Sequence, residues 1–178
     1  LEQYAAWTFD RPASCRPGEA VAYSVLVAHS VLGLAMQRAC GRAFTDIMQE
    51  QLFTPLGMRD TAFGPRPDLM ARRCPLQPAN YLLAPQYSHA ANIAATHIAR
   101  ISGYSTHPHS VVPGGGAFST LSDMWRFTEM LRRGGELDGQ RILSPAMLEL
   151  LSRNHTGEMP NQVFKYLFAE KHWQQCPA

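Results

Sequence analysis

From Ala20 to Gln37 the chain runs for 18 residues without a single charge, and that stretch limits the possible folds more than any other feature. A run of this length stands at the lower limit for crossing a bilayer; otherwise it has to be packed inside a protein. Tyr23, Ser24, His29, Ser30 and Gln37 interrupt it with polar groups, and Gly33 weakens it as a helix. These interruptions favour a buried helix over a membrane span. Val27, Val31, Leu34 and Ala35 recur at helical spacing, the Pro17-Gly18 turn opens the segment, and Gly41 stands where a left-handed cap would close it. The pattern predicts a helix near 26–40.

The same punctuation marks further helices. Phe44, Ile47, Met48 and Leu52 form a stripe that has to stop before Pro55, because proline disfavours helical geometry in its predecessor, so a helix is expected over 43–53. Leu56-Gly57-Met58 then turns the chain and tucks two apolar side chains back. Thr120-Leu-Ser-Asp123 reads as a capping box in which hydroxyl and carboxylate both satisfy first-turn N–H groups. It opens a helix near 121–133, with Leu121, Met124, Trp125, Thr128 and Leu131 on one face and Gly134-Gly135 at its end. Asp138-Gly139 is a tight-turn pair, and Ser144-Pro145 starts a helix over 145–152. Leu34, Phe44, Ile47, Leu52, Met124, Trp125 and Leu131 are the expected core. Residues 64–113, broken by prolines at 65, 67, 75, 78, 85, 108 and 113, read as loops and short strands.

A content of 46% hydrophobic and 17% charged residues is that of a globular chain. The net charge of +2 comes with scattered arginines and no aromatic-studded basic stripe, so nucleic acid is not an expected partner. Arg72-Arg73 and Arg132-Arg133 read as solvated surface. Cys15, Cys40, Cys74 and Cys176 show neither zinc spacing nor a compact disulfide framework. His107-Pro108-His109 has no nearby carboxylate or thiol to complete a metal site, so neither metal nor cofactor is expected.

A specific order of motifs runs from residue 16 to 155. Arg16-Pro-Gly-Glu-Ala-Val-Ala-Tyr23-Ser24-Val25 is followed by Leu32-Gly33, Ala39-Cys40-Gly41-Arg42-Ala43-Phe44 and Leu52-Phe53-Thr54-Pro55-Leu56-Gly57-Met58-Arg59-Asp60-Thr61. Val112-Pro113-Gly114-Gly115-Gly116-Ala117-Phe118-Ser119-Thr120 and Gly134-Gly135-Glu136-Leu137-Asp138-Gly139-Gln140-Arg141-Ile142-Leu143-Ser144-Pro145 complete it. This succession resembles the serine β-lactamase-like hydrolases, which include penicillin-binding proteins and family VIII carboxylesterases. The resemblance implies an α+β parent fold of the β-lactamase/transpeptidase type, of which residues 1–178 would form one incomplete domain, a mainly helical lobe with short strands. The family's Ser-x-x-Lys nucleophile motif is absent: the residues three positions before Lys165 and Lys171 are Gln162 and Phe168. The later strand motif of Lys-Thr-Gly type is absent too, so the chain reads as a middle fragment. Its compartment, cytoplasmic or periplasmic/secreted, stays open.

Carried onto this sequence, the resemblance places the catalytic tyrosine at Tyr23 and substrate-binding positions at Ser24, Val25, Gly114, Gly115 and Gly116. A phenol with a pKa near 10 acts as a base only where an ammonium group stabilises its phenolate, and the partner lysine is missing here. The plainer alternative for Tyr23 is an amphipathic residue at a helix entrance; for the three glycines it is a turn that needs positive φ. Val25 stands where penicillin-hydrolysing members carry asparagine, and valine cannot hydrogen-bond a lactam's amide side chain. The implied chemistry is therefore acyl-enzyme hydrolysis of a small ester or lactam, with the ester branch favoured. An acyltransferase of the same family and a non-catalytic binding module are the alternatives; Arg66 to Arg73 is compatible with the acyltransferase. Gly114-Gly115-Gly116 lacks the Gly-Lys-Ser/Thr of a phosphate-binding loop, and Gly103-Tyr104-Ser105-Thr106-His107 lacks the second glycine of a nucleophile elbow.

Overall fold

A computed structural model of the chain describes residues 1–10, 12, 15–21, 27–74 and 111–160. In order, these form α1 (Glu2–Phe9), α2 (Val27–Cys40), α3 (Phe44–Met48), a π-helical turn (Gln49–Phe53), β1 (Ala62–Phe63) and α4 (Pro67–Met70). Then come β2 (Ala117–Phe118), α5 (Leu121–Arg132), β3 (Glu136–Leu137), β4 (Gln140–Arg141) and α6 (Pro145–Leu151). Among the described residues the strands make two antiparallel pairs, β1 with β2 and β3 with β4. The expected helical lobe with short strands is what is found.

Helix boundaries follow the punctuation closely. Gly41 takes φ +64° after α2, and Gly134 and Gly135 take φ +79° and +91° after α5. Ser144 Oγ accepts from Met147 N at 3.1 Å, so α6 carries a side-chain cap behind its leading proline. Asp138 and Gly139, with φ 52° and 76°, make the hairpin turn between β3 and β4. The 43–53 helix departs from expectation in one respect: its second half is π-helical, and Thr54 N donates to Gln49 O at 2.8 Å, five residues back. α1 was not foreseen, for its N-cap is Leu1 and no side chain caps it.

The main core gathers Phe53, Leu56, Met58, Met130 and Leu137, with Leu52, Phe63, Phe127, Leu131, Ile142 and Leu143 packed around them. Phe63 links it to the α2–α3 side, edge-on to Phe44 at 4.9 Å and stacked on Phe53 at 6.0 Å. On that side Ala5, Leu34, Phe44 and Ile47 are buried. α1 and α2 are also tied by Arg38 Nη2 donating to Glu2 Oε2 at 2.7 Å.

Two expected core residues are not in it. Met124 is 43% exposed and Trp125 55% exposed, and Leu121 beside them is nearly bare. α5 is turned so that Asp123, Phe127 and Met130 face inward, with Arg126 partly buried beside them. The cause is polar. The Asp123 carboxylate has backbone and hydroxyl donors to meet inside, Arg126 Nη2 reaches Asp138 at 2.6 Å, and Arg126 Nε donates to Leu56 O. Satisfying these groups fixes the rotation of the helix, and Leu121, Met124 and Trp125 are left facing outward while Leu131 of the same expected face still packs against the core. Among the described residues no helix is long and apolar enough to cross a membrane.

Candidate functional site

The glycine turn sits between the first long helix and the β1–β2 pair. Gly115 N and Gly116 N both donate to Val112 O, at 3.2 and 2.7 Å, and Gly64 N donates to Gly116 O at 3.0 Å. None of Gly114, Gly115 and Gly116 takes a positive φ, so the turn does not demand glycine for that reason. What demands it at 116 is space: a Cβ there would lie 2.8 Å from Val112 O. Gly33 serves the same purpose in α2, where a Cβ would lie 2.8 Å from Pro113 Cγ. The turn is thereby seated on the middle of α2, the helix that begins two residues after Val25. Val21 N donates to Pro160 O at 3.0 Å and ties the approach to this helix to the far end of the described chain.

A buried polar lock holds the other wall. Asp123 Oδ2 accepts from Asp60 N at 2.8 Å and from Thr61 Oγ1 at 2.7 Å, and Thr61 Oγ1 lies 2.8 Å from Ser119 Oγ. Half of the expected capping box is present: Thr120 Oγ1 accepts from Asp123 N at 3.2 Å. The other half is corrected. The Asp123 carboxylate caps no first-turn N–H and instead pins the end of the Leu52–Thr61 motif to the start of α5.

Between these walls lies a cleft of about 370 Å³ bounded by Asp60, Arg66, Leu69, Met70, Arg72 and Arg73 on one side and by Gly115, Ala117, Phe118 and Ser119 on the other. Arg66 grips Asp68 with two bonds, of 3.0 and 2.6 Å, and donates to Arg59 O at 2.8 Å. Arg72 donates to Asp60 at 3.0 Å. The Arg72 hydrogen bond holds the Asp60 carboxyl below its ordinary range, and Arg66 does the same for Asp68. Arg72 is thus more than the solvated surface expected of it. Arg132 and Arg133 are exposed as expected, but both clamp Glu129, at 2.7 and 2.6 Å.

Of the sequence-predicted site residues, Gly114, Gly115 and Gly116 lie in this turn, and Gly115 lines the cleft. Tyr23, Ser24 and Val25 lie outside the described residues, as do His107, His109, Lys165, Lys171 and the Gly103–His107 segment. The cleft-forming residues that sequence reasoning missed were in view, with Asp60-Thr61 ending one quoted motif and Ser119-Thr120 ending another. Nothing in their local pattern says that they meet. Among the described residues no cluster of His, Cys, Asp and Glu is arranged to hold a metal ion. Among the described residues Ser119 Oγ hydrogen-bonds with the Thr61 hydroxyl and the Thr120 carbonyl, and neither is a base that could activate it.

A family model described as Beta-lactamase matches residues 1–174. Protein Rv1367c of Mycobacterium tuberculosis (strain ATCC 25618 / H37Rv) is 31% identical over 136 residues, which are 76% of this chain and 31% of that protein. The D-alanyl-D-alanine-carboxypeptidase/endopeptidase AmpH of Escherichia coli (strain K12) is 31% identical over 117 residues, 64% of this chain and 23% of the other. The chain therefore spans less than a third of the length of these curated relatives. A putative beta-lactamase from Bacteroides dorei DSM 17855 superposes with a TM-score of 0.60 at 19% identity, over 90% of this chain and 37% of that one. A beta-lactamase/D-alanine carboxypeptidase from Yersinia pestis does so with a TM-score of 0.52 at 20% identity, over 73% of this chain and 30% of that one. These two likenesses carry the fold expectation.

Proposed function

The chain belongs to the beta-lactamase family, and from that membership we propose that it is the helical part of a serine hydrolase that opens small esters through an acyl-enzyme. The observation that carries the reading is the seating of the Pro113–Gly116 turn on Gly33, which draws two separated stretches of the motif order to one place beside the cleft. A contact that close requires glycine at Gly33, and the short Leu32-Gly33 motif thereby acquires a physical reason.

In this reading Tyr23 manages the proton. A serine nucleophile from a Ser-x-x-Lys segment attacks the acyl carbon, and the lysine ammonium lowers the phenol's pKa so that its oxygen accepts the serine proton. The phenol then returns that proton to the departing alkoxide, and the acyl group stays on serine until water removes it. Val25 offers no amide to a lactam side chain, which supports esters over lactams as substrates. Gly114 and Gly115 keep the floor beside the acyl group free of side chains. An alcohol in place of water would give the acyltransferase.

The test is made in the protein that carries the Ser-x-x-Lys segment. Tyr23→Phe keeps the ring and removes proton transfer, so turnover of a p-nitrophenyl ester is expected to fall roughly a hundredfold or more. Turnover near wild type would remove Tyr23 from the mechanism. Residues 1–178 alone are expected to give neither a nitrophenol burst nor a covalent mass increase; a stoichiometric burst acylating Ser24 or Ser105 would establish a hydrolase of another design.

A further inference from the structure

We propose that the cleft between residues 60–74 and 115–120 binds an unbranched monocarboxylate, with the Arg73 guanidinium on the carboxylate and Leu69, Met70 and Phe118 along the apolar tail. The charge arrangement leads to it. Three arginines line the cleft, but Asp68 neutralises Arg66 and Asp60 neutralises Arg72. Arg73 is exposed and has no ion-pair partner among the described residues, so the cleft presents one uncompensated positive charge. A single charge matches a single carboxylate, and a planar guanidinium fork fits its two oxygens.

The hydrogen-bond lock gives the cleft a direction. The Asp123 carboxylate only accepts, so the Thr61 hydroxyl has to donate its one proton there, and Thr61 oxygen accepts from Ser119. Ser119 has then used its proton and offers lone pairs alone. Those lone pairs repel an anionic oxygen set against Ser119 Oγ, and although the neighbouring Thr120 hydroxyl keeps a proton to donate, only the arginine end carries a charge to hold the carboxylate. Leu69, Met70 and Phe118 are each partly buried and supply the apolar surface between the two ends. A cleft of about 370 Å³ is near the lower end of the roughly 300–1,000 Å³ in which small ligands are held. This inference stands apart from the hydrolase reading, because binding is measured without turnover.

The experiment is a calorimetric titration of the purified protein with hexanoate, hexan-1-ol and inorganic phosphate. Hexanoate is expected to bind saturably, and hexan-1-ol roughly tenfold more weakly, as befits loss of a charge-assisted bidentate contact. Arg73→Gln, an exposed substitution, should weaken hexanoate roughly tenfold and leave hexan-1-ol unchanged. Phosphate should fail to displace hexanoate. The proposal is overturned if hexanoate does not saturate, if Arg73→Gln binds it as the wild type does, or if phosphate displaces it at equal concentration.

Discussion

Removing the Asp123 carboxylate tests the account of why α5 faces as it does. Asp123 is 6% exposed and accepts two hydrogen bonds, both on Oδ2, from Asp60 N and from the buried Thr61 hydroxyl. Each hydrogen bond to a charged group contributes about 1.5–3 kcal/mol, so Asp123→Ala, which leaves both donors unmet, is expected to destabilise the protein by roughly 3–5 kcal/mol. Asp123→Asn can place its amide oxygen where Oδ2 stood and keep both contacts without the charge; about 1–2 kcal/mol is expected. Thr61→Val, similar in shape, removes one donor and should also cost about 1–2 kcal/mol. Urea unfolding followed by tryptophan fluorescence reads these differences. With a slope of roughly 2 kcal/mol/M, the alanine variant's midpoint falls by about 2 M. The double variant Asp123→Ala/Thr61→Val should fall short of additivity by about 1 kcal/mol, because the two residues share a bond. If Asp123→Ala lies within about 1 kcal/mol of wild type, or matches Asp123→Asn, the polar lock is not what orients the helix.

Glu129 gives a pH signature. Arg132 and then Arg133 lower its pKa from 4.5 to about 2, so its contribution is fully present above about 4.5 and is lost as pH falls toward 2. Thermal unfolding of Glu129→Gln should therefore lie below wild type at neutral pH and converge with it near pH 2; curves that stay parallel would contradict this. At Gly135, with φ +91°, an added Cβ would collide with Leu143 O, so Gly135→Ala should destabilise by roughly 2 kcal/mol or more. Gly134→Ala, with φ +79° and open space around it, should cost only about 1 kcal/mol, and equal losses at the two sites in urea midpoints would refute the steric argument.

Where sequence was informative, it was so through stop signals. Gly41, Pro55, Thr120, Gly134 and Ser144-Pro145 mark chain positions whose backbone chemistry is local, and the helices end within a residue or two of them. Burial is not local. On α5 the apolar residues Leu121, Met124 and Trp125 made the more persuasive stripe, yet the inward side belongs to Asp123, Phe127 and Met130. That outcome depends on Asp60 N and the Thr61 hydroxyl, some sixty positions earlier in the chain, and no periodicity encodes donors brought in from so far away. The cleft was hidden for the same reason, since its two walls come from segments on either side of residues 75–110. At the glycine turn the plainer alternative, a positive φ, does not hold at any of the three positions, and what requires glycine at Gly116 is the close approach of Val112.

The π-helical turn at Gln49–Phe53 makes the residue count of this segment matter as much as its composition. A π turn holds one residue more than the α-helical turn it replaces, so deleting any one residue between 49 and 53 would let the helix close into a regular α form. Everything downstream would then rotate by about 100°. Phe53, Leu56 and Met58, three of the five residues at the centre of the core, would sweep away from Met130 and Leu137 together. Substitutions within Gln49-Glu50-Gln51 that keep the length should be absorbed easily. The surplus residue therefore acts as a spacer, and homologous chains that lack it would need a compensating insertion before the Leu56-Gly57-Met58 turn to bring the same side chains back into register.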